Sequence, residues 1–156
     1  MQDFWLGCLY SLIGCLGFCF VYNLRGSVII FSALGGAVGW AVYLAFAFTG
    51  NDILQFFLAT VALSAYAEIM ARIYKAPVTV FLIVALLPLV PGSGIYYTME
   101  YCINGNLAMF AKEGLHTLFI SGSLALGILI VSSVVRMFSR LGPVRRKQLS
   151  SSERQP

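Results

Sequence analysis

An apolar stretch in the second half of the chain contains residues that weaken or interrupt a helix: Pro88, Pro91, Gly92, Ser93 and Gly94. Proline lacks a backbone N–H and frees the carbonyl one turn before it, and glycine costs about 1 kcal/mol in a helix interior. Unpaired backbone groups inside a membrane are tolerated only where protein buries them or where they line a wet cavity. We call residues 88–94 the break and interpret them, together with Tyr96, as part of a substrate path. The alternative is a proline kink that serves helix packing.

A second candidate for chemistry is Glu68, an acidic residue within an apolar run, which Arg72 follows at the i+4 spacing. This spacing brings opposite charges together on one helix face and predicts an ion pair. Ionisable groups inside a membrane are costly, so they often have a function. Two interpretations follow: a pair that anchors its helix at the interface, or a proton or ion-pair relay that includes Lys75.

The thiols and the single histidine point to packing. Cys8, Cys15 and Cys19 lie seven and four residues apart, which puts them on one helix face. We interpret them as small buried residues, with a redox or metal role as the alternative, and predict no metal and no other cofactor. His116 is interpreted as a packing or interfacial residue. The sequence contains neither HExxH nor GxSxG, which indicates that the protein is not an enzyme.

The composition defines the elements that must position these residues. Hydrophobic residues make up 60% of the 156 residues, charged residues only 10%, and the mean hydropathy is +0.88. Ordinary soluble domains carry about 25% charged residues. The chain is therefore predicted to be an all-α integral membrane protein whose surroundings are the lipid bilayer and not nucleic acid. The start, Met1-Gln2-Asp3, lacks the basic residues of a signal peptide, so the first apolar run is expected to remain as a membrane helix.

Five stretches are long enough to cross a bilayer, which takes about 20 apolar residues. They cover residues 4–22, 28–48, 53–73, 78–103 and 115–138, within a transmembrane domain of residues 1–138. At about 1.5 Å per residue, the break falls about 15 Å into the fourth span, near the bilayer midplane. The fourth span is thus predicted to be two half-helices, the second of which begins near residues 93–95. Asp52 and Gln55 predict a capping box at the start of the third span.

The basic residues predict the orientation. With five spans, nine of the ten lysines and arginines fall on one side and Lys112 falls on the other. Lysine and arginine mark cytoplasmic loops, so the N-terminus is predicted to lie outside and the C-terminus in the cytoplasm. Residues 139–156 are predicted to form a disordered basic cytoplasmic tail that fixes the topology, with lipid binding as the alternative. Within the second span, Gly35 and Gly39 form a GxxxG pair, which indicates close helix packing inside this chain or against a partner.

The residues around the break also resemble a known family. Lys75 begins the pattern Lys-x-Pro-x-x-x-Phe, and Pro88 begins Pro-x-x-Pro-Gly-x-x-x-Tyr-x-x-Met, which ends at Met99. This pattern resembles the signature of the threonine/serine exporter family, in particular the separate small subunit that is equivalent to the C-terminal half of the fused exporters. Length and span count are similar to that subunit over nearly the whole chain.

The resemblance implies a function and a partner. The chain is expected to be a subunit of a secondary transporter in the bacterial inner membrane that works with a larger membrane subunit. Its substrates would be small carboxylate-bearing metabolites, either amino acids like threonine and serine or dicarboxylates such as succinate, and export would be driven by the proton gradient. The alternative is a non-transporting scaffold subunit that stabilises the larger transporter partner.

Overall fold

The structure, a computed structural model, describes residues 2–152, with side chains over residues 4–139. Its six α-helices are α1 (Gln2–Val21), α2 (Ser27–Ala45), α3 (Asp52–Tyr74), α4 (Val78–Leu86), α5 (Gly92–Ile103) and α6 (Leu107–Ser152). Two short 3-10 helices, Ala47–Thr49 and Leu87–Leu89, join neighbouring elements, and the described part of the chain has no strand. The all-α prediction is confirmed.

Four of the helices are long and apolar enough to cross a membrane: α1, α2, α3 and α6. The remaining segments, Val78–Leu89 and Gly92–Ile103, pass the same test together and are bent by 54° relative to each other. Counted as one span, this pair brings the total to the predicted five. The bend lies within the break, so the fourth span is broken where the prolines and glycines predict it.

Successive spans run in opposite directions, and α3 and α6 therefore run parallel. Asp52 at the start of α3 contacts His116 of α6, and further along both helices Thr60 packs against Gly127. The loops that carry Arg25 and Lys75 consequently share one end of the bundle, opposite to Asp52. We call these the basic end and the acidic end. Which of them faces the cytoplasm stays a prediction.

Small residues let α2 approach its neighbours closely. A Cβ atom at Gly35 would lie 2.9 Å from Ala85 Cβ, and one at Gly39 would lie 3.1 Å from Leu63 Cδ2. A Cβ at Gly36 would overlap the Sγ atom of Cys15. The GxxxG pair thus packs inside this chain, because its glycines meet α3 and α4.

The hydrophobic core reaches the start of the break. Leu89 is fully buried and packs in one cluster with Leu63 and Ala85. Because Leu63 lies at the middle of α3, the break begins at half the height of the bundle. Cys15 and Cys19 are buried as predicted, whereas Cys8 is only partly buried.

Two helix boundaries differ from the predictions. Asn51, not Asp52, caps α3: its side-chain oxygen accepts a hydrogen bond from the Leu54 N–H at 3.3 Å, so the predicted capping box is wrong. Asparagine and aspartate cap equally well, so the pattern alone could not choose between these neighbours. Similarly, the Asn106 side chain caps α6 through the Met109 N–H at 3.2 Å, and the helix begins before residue 115.

At its other end α6 continues to Ser152, whereas the sequence predicts a disordered tail from residue 139. This stretch contains Arg140, Arg145, Arg146 and Lys147, residue types that favour helix, beside Gly142 and Pro143, which do not. Residues 153–156 of the predicted tail lie outside the described residues.

Candidate functional site

The unwound part of the break is short and lies between two helices. After the 3-10 turn Leu87–Leu89, Val90 is extended with φ −63° and ψ 126°, and Pro91 has φ −75° and ψ 61°. Helix α5 then begins at Gly92, slightly earlier than residues 93–95. Pro88 lies inside the 3-10 turn and Pro91 immediately before α5, so neither proline interrupts a regular α-helix.

The first turn of α5 carries backbone donors without acceptors. The Gly92 N–H donates to Val90 O at 2.7 Å, and the Ile95 N–H donates to Pro91 O at 3.1 Å. The N–H groups of Ser93 and Gly94 have no acceptor among the described residues. Free N–H groups and the positive end of the helix dipole make such a terminus favourable for a carboxylate.

Ser93 and Gly94 line a cavity of about 350 Å³, which we call the break cavity. Its wall combines the break with residues from α2, α3, α5 and α6. The polar side chains of the wall outside the break are Tyr43, Asp52, Tyr97, Glu113, His116 and Thr117. The cavity wall thus combines the two residues whose N–H groups lack an acceptor with two carboxyl side chains and an imidazole.

One contact between a histidine and a carboxyl group crosses the wall of the break cavity. His116 Nε2 lies 3.9 Å from Asp52 Oδ2, and the two side chains are 46% and 55% exposed. Glu113 precedes His116 by three residues on α6, so both lie on the same face of that helix. Within the described residues, no three His, Cys, Asp or Glu side chains form a group that could hold a metal ion.

An aromatic wall closes the α2 side of the cavity. Trp40 stacks on Tyr43 with ring centroids 5.2 Å apart, and Tyr43 contacts Phe56 at 4.8 Å. Gly7 makes room for the indole, since a Cβ there would lie 2.7 Å from Trp40 Nε1. This buried indole nitrogen has no hydrogen-bond partner among the described residues.

On the other side, α6 fixes the start of α5. A Cβ atom at Gly94 would collide with the hydroxyl of Thr117, and one at Gly114 would lie 3.3 Å from Thr98 Cγ2. The Thr117 hydroxyl donates to Glu113 O at 2.7 Å, which holds this side chain in place. The free N–H groups are therefore held at a defined position relative to Glu113 and His116.

The predicted substrate-path residues divide into three groups. Pro88, Pro91, Ser93 and Gly94 line the break cavity. Gly92 faces a second cavity of about 370 Å³ between α1 and the break, which Pro88 also lines. Tyr96 is 65% exposed and lines neither cavity; its neighbour Tyr97 lines the break cavity.

The predicted relay residues lie elsewhere. Glu68, Arg72 and Lys75 belong to the last part of α3 and its cap, toward the basic end. The Glu68–Arg72 ion pair is not formed. Among the described residues, the contact within 4.0 Å between a basic and an acidic side chain is the one between His116 and Asp52. Arg72 is exposed in the last turn of α3, where a cation is already stabilised by the helix dipole.

Sequence reasoning missed Asp52, Glu113 and His116 as a group. They are far apart in the chain and meet only because α3 and α6 are parallel, with both starting at the acidic end. The available signal was weak: acidic residues at the starts of two spans that were predicted to begin on the same side.

Comparison with known protein families gives a match that covers most of the chain. Over residues 7–134 the chain is similar to the family model described as "Threonine/Serine exporter, ThrE". The matched region includes the whole break and every residue named in the cavity wall. Comparisons with characterised proteins and with solved structures found no match.

Proposed function

We propose that this chain, which belongs to the threonine/serine exporter family, is a subunit of a secondary transporter in a bacterial inner membrane and binds its substrate in the break cavity. The observation that carries the proposal is that Ser93 and Gly94, whose N–H groups lack an acceptor, line one cavity with Asp52 and Glu113. Each of these groups complements one part of a small amino acid.

The N–H groups of Ser93 and Gly94 account for carboxylate binding. Broken membrane helices in other transporter folds hold substrate carboxylates at such half-helix N-termini. Helix α5 has 12 residues, which is long enough for its dipole to favour an anion at its start. All the candidate substrates carry a carboxylate, so this end of the cavity does not distinguish among them.

Asp52 and Glu113 distinguish between the amino-acid and the dicarboxylate substrates. An ammonium group gains from nearby carboxylates, whereas the second carboxylate of succinate would be repelled by them. We therefore favour amino acids like threonine and serine over dicarboxylates. The volume of about 350 Å³ suits a small molecule, because ligand pockets typically start at about 300 Å³.

The larger membrane subunit remains part of the proposal. No residue of α5 is buried, and its apolar side chains at Ile95, Met99 and Ile103 are exposed. A partner on this face would cover them and narrow the cavity. The chain contains no Walker motif, which is consistent with coupling to an ion gradient.

Deletion of the gene in its own host, followed by complementation, tests the proposal with any native partner present. Cells loaded with L-threonine, L-serine or succinate should lose efflux of the two amino acids on deletion and regain it with the wild-type gene. A variant that combines Pro91→Ala and Gly92→Ala should reach the membrane at the wild-type level and restore less than about a tenth of the efflux.

The scaffold alternative makes the opposite prediction. If that variant restores full efflux, the break is not a transport element and the chain serves only to stabilise its partner. If deletion of the gene abolishes the efflux of succinate alone, the chain is still part of a transporter, but the preference for amino acids is overturned.

A further inference from the structure

We infer that Asp52 and His116 form a proton-binding site that competes with the substrate for the break cavity. The inference rests on the function proposed above, because it concerns the release of substrate from that same cavity. It differs from the relay predicted at Glu68, which lies toward the opposite end of α3.

The geometry puts the pair where substrate and solvent both reach it. The Nε2–Oδ2 distance of 3.9 Å joins the first turn of α3 to α6, and both residues line the cavity. Each side chain is about half exposed, so a proton can exchange without local unfolding. A contact this exposed contributes little to the stability of the fold. The main effect of the pair is therefore on the net charge of the cavity.

The titratable groups around His116 lie on α2, α3, α5 and α6. Asp52 faces it from α3, Glu113 lies on its own helix, and Tyr43 and Tyr97 line the cavity from α2 and α5. Lys112 lies four residues before it on α6, is exposed and is not part of the cavity lining. With a neutral imidazole, the ionised lining carries two negative charges; protonation of His116 reduces this to one.

Protonation therefore acts against a bound ammonium group. The imidazolium pairs with Asp52, takes up the charge that attracted the substrate, and repels the ammonium directly. Loss of the proton leaves Asp52 free to bind substrate again. Histidine changes charge between about pH 5 and 8, so proton uptake from an acidic exterior would expel the amino acid.

The test uses the protein purified from membranes of its host with its native partners, and calorimetric binding of L-threonine at pH 7.5 and pH 5.5. Threonine remains zwitterionic over this interval. The wild-type protein should bind L-threonine about tenfold more weakly at pH 5.5 than at pH 7.5, because the proton then competes with the ammonium group for the cavity. His116→Gln should show less than about a twofold difference between the two pH values, while the control Glu68→Gln keeps the tenfold change.

The outcomes separate this inference from the proposed function. A His116→Gln protein that keeps the tenfold change overturns the competition, although threonine binding by the wild type would still support the transporter. A wild-type protein that binds neither L-threonine nor L-serine at either pH overturns the proposed function, and the inference with it.

Discussion

The two halves of the broken span differ in what surrounds them. Helix α4 buries Phe81, Val84 and Ala85 and packs against α1, α2 and α3. Helix α5 buries none of its residues and packs against α6. The sequences explain the difference, because VTVFLIVAL has a single hydroxyl, while GSGIYYTMEYCI mixes glycine, hydroxyl groups and an acid with its apolar residues.

This difference indicates a division of work within one span. The half before the break is part of the core and keeps the bundle together. The half after it is held by α6 at its start and leaves its first N–H groups free. A break between the two lets a polar site exist beside a core that needs every backbone group paired.

The largest expected effect concerns stability. Phe81→Ala should lower the free energy of unfolding by about 3 kcal/mol or more, because it opens a cavity in a fully buried site. Tyr96→Ala on the exposed face of α5 should cost less than about 0.5 kcal/mol. Denaturation of the purified protein in detergent measures both. Equal losses would contradict the division between the two halves.

A smaller effect should follow from moving the start of α5. Gly94→Ala forces Thr117 or α5 to shift, at a cost of about 1–3 kcal/mol, and should lower threonine efflux about tenfold. Gly92→Ala is the matched control, because a Cβ at Gly92 meets no atom within 4 Å. A similar loss of efflux in both variants would mean that the contact with Thr117 does not position the site.

Charge removal in the cavity should have a selective effect. Glu113→Gln should raise the half-saturating threonine concentration about tenfold, equivalent to about 1.4 kcal/mol, and should not weaken any transport of succinate. Efflux from cells loaded with either compound measures this. The control is Glu100→Gln, an exposed acid on α5 that does not line the break cavity. Equal effects on the transport of both compounds would contradict a contact between Glu113 and the ammonium group of threonine.

The smallest effect is expected at the basic end. Glu68→Gln should change threonine efflux less than about twofold, because Glu68 makes no ion pair with Arg72 and does not line the break cavity. Efflux measured over a series of external pH values checks this. A flatter pH dependence of efflux in this variant would contradict this expectation and support a proton relay at Glu68.

Much of the fold was predictable because each apolar run carries its own signal. The number of spans, the break at Pro88 to Gly94 and the close packing of Gly35 and Gly39 all follow from local composition and spacing. The position of Tyr96 outside the cavity was not predictable, since it depends on the rotation of α5 against α6. The meeting of Asp52 with His116 depends on the parallel arrangement of two helices, which no local pattern encodes.

The most direct measurement of the central claim is protection of the start of α5 by substrate. Ser93→Cys and Tyr96→Cys would be compared in a Cys102→Ser background, because Cys102 is the exposed native cysteine. Labelling by a maleimide is followed in host membranes with and without L-threonine. Substrate in the break cavity should slow labelling at position 93 severalfold and leave position 96 unchanged. Equal labelling rates at position 93 with and without threonine would contradict the account.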